Sequence, residues 1–273
     1  MTFVGGDAIG MAQHAYLWKF DGTQIDLGTL GGTFSSANAV SADGNVVVGS
    51  ANTASQGHAF RWTSAGGMVD LGTLGGTTSQ ANAVNANGSV VVGTANNGSN
   101  NSHAFRWTGG VMTDLGTLGG LYSYGQFVSA DGSVVAGYGP NASNQTNAFR
   151  WTSGGGMVNL GTLGGTTSFA SAMSADGSVV VGGAYIASNT QNAFRWTSAG
   201  GMVNLGTFGG TYASANAVSA DGKVVVGEAQ DASNVSHAFR WTSATGMQTV
   251  EAWLTASGVM VNPLLFTGGA REC

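Results

Sequence analysis

Charged side chains are scarce in this chain. Asp, Glu, Lys and Arg make up 8% of its 273 residues, against about 25% in ordinary soluble domains. Scarce charge is a mark of membrane proteins, but no run approaches the roughly 20 unbroken apolar residues that cross a bilayer, so no transmembrane segment is expected. The eight Lys and Arg residues are dispersed and the net charge is −5. A phosphate backbone would find no basic patch, which points away from nucleic acid as a partner. Cysteine occurs once, at Cys273, so neither an internal disulfide nor a cysteine metal site can form. The N-terminus has no basic segment followed by an apolar one, the form of a secretory leader. The chain also starts in mid-module, as a fragment would.

Glycine is abundant, at 47 residues, and its placement is periodic. Six tryptophans, Trp18, Trp62, Trp107, Trp151, Trp196 and Trp241, recur every 44 or 45 residues. Around them four phrases return in order, as in residues 37–44 (ANAVSADG), 45–51 (NVVVGSA), 58–63 (HAFRWT) and 68–76 (MVDLGTLGG). Each is short, β-branched or aromatic, and bounded by turn residues, which predicts four strands, a to d. Asp43-Gly44 and its counterparts close the a–b hairpin, glycine supplying positive φ. Four antiparallel strands per period fit a propeller blade. A β-solenoid is the competing architecture, but it has no need of four different phrases per period.

The expectation is an all-β chain, a β-propeller of about six four-stranded blades forming a single domain over 1–273. Its modules run about 1–30, 31–74, 75–118, 119–163, 164–208 and 209–250. The a phrase occurs five times and the others six, so the first module lacks its a strand. Residues 251–273 would close the ring, a short helix over Glu251 to Gly258 preceding a closing strand from Val259 to Thr267. The alternative is five blades with an N-terminal arm. Arg61 and Asp70, which recur, are expected to face each other across the c–d hairpin.

The HAFRW and DLGTLGG phrases resemble the HAF family of extracellular repeats, found in exported bacterial proteins. The resemblance covers residues 1 to about 250. It departs from the family at Asn147 and Asn192, where the histidine would stand, and at Tyr16, where phenylalanine would. It implies an extracellular or cell-surface location and fixes no reaction. Segments a to c also resemble the WD-repeat blade, which places strand a innermost.

In an antiparallel meander the b–c and d–a connections share one end of each blade. Tyr122, Tyr124, Tyr138, Tyr185 and Tyr212 depart from the module consensus and are assigned to these loops, with Phe34 and Phe169, as substrate-binding residues. Asp7, Glu228 and Asp231 are the acids that the module pattern does not explain. All three are assigned to b–c loops of the first and last modules, where ring closure would bring them together with Asn234 as a calcium site. His14 and His237 flank that seam as candidates for proton transfer. The four histidines otherwise occupy one module position, which favours a structural cap over a zinc ligand. No Gly-x-Ser-x-Gly elbow, HExxH pair or phosphate loop occurs.

Blade number and acidic seam resemble six-bladed calcium-dependent lactonases, although no catalytic motif is shared. That resemblance implies a secreted hydrolase of small lactones such as N-acyl-homoserine lactones, calcium polarising the ester carbonyl. The alternative is a carbohydrate-binding lectin or adhesin passenger without catalysis, whose aromatic rings stack on a glycan while loop amides bind its hydroxyls.

Overall fold

The computed structural model describes residues 3–9 and 12–259, with the backbone alone for 3–9 and Ala12. Among the described residues twenty-three strands and one short helix follow one another. The first module has three strands, β1 (Phe3–Ile9), β2 (Ala12–Trp18) and β3 (Gln24–Asp26). The second has four, β4 (Ser35–Val40), β5 (Val46–Asn52), β6 (Gly57–Thr63) and β7 (Gly67–Asp70). The third repeats them as β8 (Gly75–Val84), β9 (Val90–Asn97), β10 (Ser102–Thr108) and β11 (Val111–Asp114). The fourth comprises β12 (Tyr124–Val128), β13 (Val134–Pro140), β14 (Thr146–Thr152) and β15 (Gly156–Asn159). The fifth comprises β16 (Gly164–Met173), β17 (Val179–Ile186), β18 (Gln191–Thr197) and β19 (Gly201–Gly206). The sixth is β20 (Gly209–Val218), β21 (Val225–Asp231), β22 (Ser236–Thr242) and β23 (Gly246–Thr249), followed by α1 (Val250–Ala256).

Each module is an antiparallel meander in sequence order, the blade of a β-propeller. The four-stranded antiparallel meander recurs in every complete module, the fifth and sixth being joined by a parallel bridge between Gln191 and Tyr212. The first blade has no a strand among the described residues, as the phrase count predicts. The closing strand expected from Val259 to Thr267 lies outside them from Met260 onward. The chain divides into two compact units, one holding the first three blades and most of the fourth, the other part of β14 with the fifth and sixth.

Local chemistry explains the blade. At the a–b hairpin the Ser41 hydroxyl donates to Asp43 and accepts from Val46 N at 3.0 Å, while Gly44 N donates to Ser41 O. Only the glycine takes positive φ, +73°; Asp43 serves as an acceptor. Strand b carries a glycine where a Cβ at Gly49 would lie 2.0 Å from Ser36 O and 3.0 Å from the Phe60 ring. That fully buried ring belongs to strand c, and its equivalents Phe105, Phe194 and Phe239 are also buried.

Strand a is bulged in every complete blade, the register shifting between Ala37 and Ala39 and between Ala81 and Ala83. The extra residue is Asn38 or Asn82, and its amide donates to Ala81 O or Gly125 O of the following blade at 2.8 Å. Between the second and third blades Val46, Val48, Ala59 and Leu71 pack against Ala81, Val91, Ala95 and Phe105. The corresponding residues Val181 and Ala193 of the fifth blade are covered by Ala213, Ala215 and Phe239 of the sixth. In the sixth blade the equivalent of Val48 is Val226, and it is 39% exposed.

The expected Arg61–Asp70 pair does not form. The register sets Arg61 opposite Val69 and Asp70 opposite Phe60, so the two charges project from opposite faces of the blade. Arg61 Nε instead donates to Gly88 O of the next blade at 3.0 Å, as Arg106 does to Gly132 O and Arg195 to Gly222 O.

Candidate functional site

Three histidines fasten strand c to strand d. His14, His58 and His103 each donate from Nδ1 to a carboxylate on the neighbouring strand, Asp26, Asp70 and Asp114, at 2.8–2.9 Å. Where Asn147 and Asn192 replace histidine, Asn159 and Asn204 replace aspartate. Asn159 then donates to Asn147 Oδ1 at 3.1 Å, and Asn192 to Asn204 Oδ1 at 3.0 Å. Both members of the pair change together. In the sixth blade Thr249 stands in the aspartate position, caps α1 by accepting from Ala252 N, and leaves His237 to pair through Nε2 with Asp231 at 3.0 Å.

The three unpatterned acids lie within strands and not in b–c loops. Asp7 is in β1 with its backbone opposite His14; its side chain lies outside the description. Glu228 is in β21 and accepts from the Tyr212 hydroxyl at 3.2 Å. Burial, followed by the Glu228 charge, pushes the Tyr212 phenol above its ordinary pKa. Asp231 ends β21, and its Oδ1 accepts from Ser233 N and Val235 N. His237, then the Val235 amide, holds its carboxyl below the usual range. Its neighbour Asn234 takes φ +61° in the same turn. Among the described residues no three His, Cys, Asp or Glu side chains gather as a metal set.

Four of the five singled-out tyrosines also lie in strands: Tyr124 in β12, Tyr138 in β13, Tyr185 in β17 and Tyr212 in β20. Phe169 is in β16, and Phe34 bridges to Gln13 just before β4. Three tyrosines form one group. The Tyr124 ring lies 5.2 Å from that of Tyr122 and 5.3 Å from that of Tyr138, in the tilted range that aromatic pairs prefer. Burial, with Tyr124 and Tyr122 close by, raises the Tyr138 pKa and keeps its hydroxyl protonated.

Tyr124 also lines a cavity of about 510 Å³ within the first unit. Gln80 and Asn82 of β8, Thr94 of β9, Gln126 of β12 and Ser50 of β5 are part of its wall. Every lining residue is a glycine or carries a hydroxyl or amide; none is charged. Thr94 Oγ1 is buried without a hydrogen-bond partner. Sequence reasoning found Tyr124 and missed Gln80, Thr94 and Gln126, which look like ordinary polar residues of a strand. The signal lay in comparing modules at positions that pair across strands.

No family model and no curated protein matches the chain. Among solved structures it is similar to TolB from Acinetobacter baumannii, at 17% identity and TM-score 0.50 over 73% of this chain and 49% of that one. The chain thus spans about half the length of that protein. An oligogalacturonate lyase in complex with manganese is similar at 13% identity and TM-score 0.53, over 91% and 73%. A prolyl endopeptidase gives 14% identity and TM-score 0.58, over 91% and 41%. Likeness at these identities shows the fold, a β-propeller.

Proposed function

We propose that the chain is an exported binding module that takes neutral carbohydrate in the cavity walled by Gln80, Asn82, Thr94, Tyr124 and Gln126. One observation carries the reading: a cavity of ligand size, about 510 Å³, is lined wholly by uncharged donors and acceptors beside an aromatic ring. Amides and hydroxyls match the alternating donors and acceptors of a sugar, and a tyrosine face suits its C–H surface. Export is part of the proposal and rests on the resemblance of the repeat phrases to extracellular repeats.

Calcium-dependent lactone hydrolysis is the competing reading, at His14 and His237 with Asp7, Glu228 and Asp231. His14 is bound to Asp26, His237 to Asp231, and Glu228 to Tyr212, and among the described residues no three such side chains gather as a metal set. One paired experiment separates the two. Binding to neutral glycans that survives EDTA and weakens in Gln80→Ala supports the cavity. Opening of an acyl-homoserine lactone that stops on chelation, with no glycan bound, overturns it.

A further inference from the structure

One cross-strand pair differs in each of the five complete blades. Strands a and b meet at Ser36 and Ser50, Gln80 and Thr94, Tyr124 and Tyr138, Phe169 and Gly183, and Ser214 and Glu228. One residue further along, the pairs barely change: Ala37 with Gly49, Ala81 with Gly93, Gly125 with Gly137, Ala170 with Gly182 and Ala215 with Gly227. The constant pair is fixed by packing, because strand b must admit the phenylalanine ring of strand c. The variable pair sits within the same two strands and so is not the drift of a loose loop. These positions are released from the demands that fix their neighbours, and repeat proteins place recognition at such positions.

In the first unit the variable positions converge on the cavity. Ser50, Gln80, Thr94 and Tyr124 all line it, from three successive blades. Beyond the cavity wall the Tyr124 ring continues into Tyr122 and Tyr138, neither of which lines the cavity. A polar chamber and an aromatic shelf therefore share one residue.

We infer that the ligand is an oligosaccharide of at least two units, the first held by Gln80 and Thr94 and the next lying on Tyr122, Tyr124 and Tyr138. The inference rests on the carbohydrate reading above. Tyr124 belongs to both subsites, while Tyr122 and Tyr138 serve the second alone. Polar contacts in the chamber set which sugar enters; stacking on the shelf discriminates chain length and tolerates sugar identity.

The test is calorimetric titration with mono-, di- and trisaccharides of the neutral series that binds best on a glycan array. The expected result is a disaccharide bound about tenfold more tightly than its monosaccharide, the gain of one stacked unit. Tyr122→Ala and Tyr138→Ala should remove that gain and leave monosaccharide affinity within about twofold. Tyr122→Phe should keep it, which separates stacking from misfolding, and Gln80→Ala should weaken every ligand alike. Equal affinity for mono- and disaccharide, or equal losses on both in the tyrosine variants, overturns the second subsite and leaves the carbohydrate reading standing. No neutral glycan bound overturns both.

Discussion

The hydroxyl of Ser79 joins two blades: it accepts from Ala59 N at 2.8 Å and donates to Gly72 O at 2.5 Å. Ser79 belongs to the third blade, and both partners to the second. Ser35, Ser123 and Ser168 make the same double contact with Ala15 and Gly28, Ala104 and Gly116, and Ala148 and Gly161. Ser79→Ala leaves a buried N–H without its acceptor, which costs about 1–3 kcal/mol. A lower urea midpoint at unchanged slope is the expected measurement. The sixth blade carries Ala213 at this position and receives Gln191 Nε2 on the Ala213 carbonyl instead.

A second prediction concerns the end of the described chain. Arg195 of the fifth blade lies 5.8 Å from the Trp241 ring of the sixth, and Arg240 lies 5.0 Å from the ring of Trp253 in α1. The helix thus gives the sixth repeat the arginine–tryptophan contact that the sixth repeat gives the fifth. Trp253→Ala should lower stability by about 0.5–1 kcal/mol, and Trp253→Phe by less. Thermal unfolding checks the order of the three proteins.

Burial makes equivalent valines unequal. Val181 is fully buried and Val226 is 39% exposed. Val181→Asp should cost at least about 3 kcal/mol through an unpaired buried charge, and Val226→Asp only about 0.5 kcal/mol. Comparable losses of soluble expression and denaturation midpoint in the two variants would show that Val226 is as enclosed as Val181.

The sequence announces the repeat, the order of four strands and the hairpin glycines, because each leaves a mark inside one module. Contacts between modules leave no such mark. Arg61 and Asp70 recur together as Arg106 and Asp114, yet the partner of Arg61 is the Gly88 carbonyl one blade on, and a backbone oxygen has no letter. Asn147 and Asn192 read as departures from the histidine until Asn159 and Asn204 are seen to change with them. Tyr124 and Tyr138 are legible as unusual residues, but their meeting depends on the a–b register. So does the cavity, whose Gln80 and Thr94 are unremarkable in isolation.

Acid should loosen the a–b hairpins. The hydroxyl of Ser129, then the amide and hydroxyl of Ser133, hold Asp131 down at about 2, and Ser174 and Ser178 do the same for Asp176. Both folded values lie below the ordinary 3.8. Their stabilising contribution is therefore complete above the ordinary value and is lost as pH falls from about 4 towards 2. The urea midpoint should drop across that interval, and less so in Asp131→Asn/Asp176→Asn. Asparagine is compatible with this turn, since Asn87 closes it in the third blade by accepting from Ser89 N. A midpoint that falls equally in both proteins would place the acid sensitivity elsewhere.

The paired exchange of His58 and Asp70 for Asn147 and Asn159 limits how such a protein can be recombined. A cassette cut between strands c and d would set a histidine against an asparagine, or an aspartate against an amide, unless donor and acceptor blades are of one type. A cut in the glycine run before strand a keeps each c–d couple whole, and the serine on the far side meets the same backbone groups in most blades. Whole repeats running from one glycine run to the next are therefore the natural units for lengthening, shortening or grafting this chain.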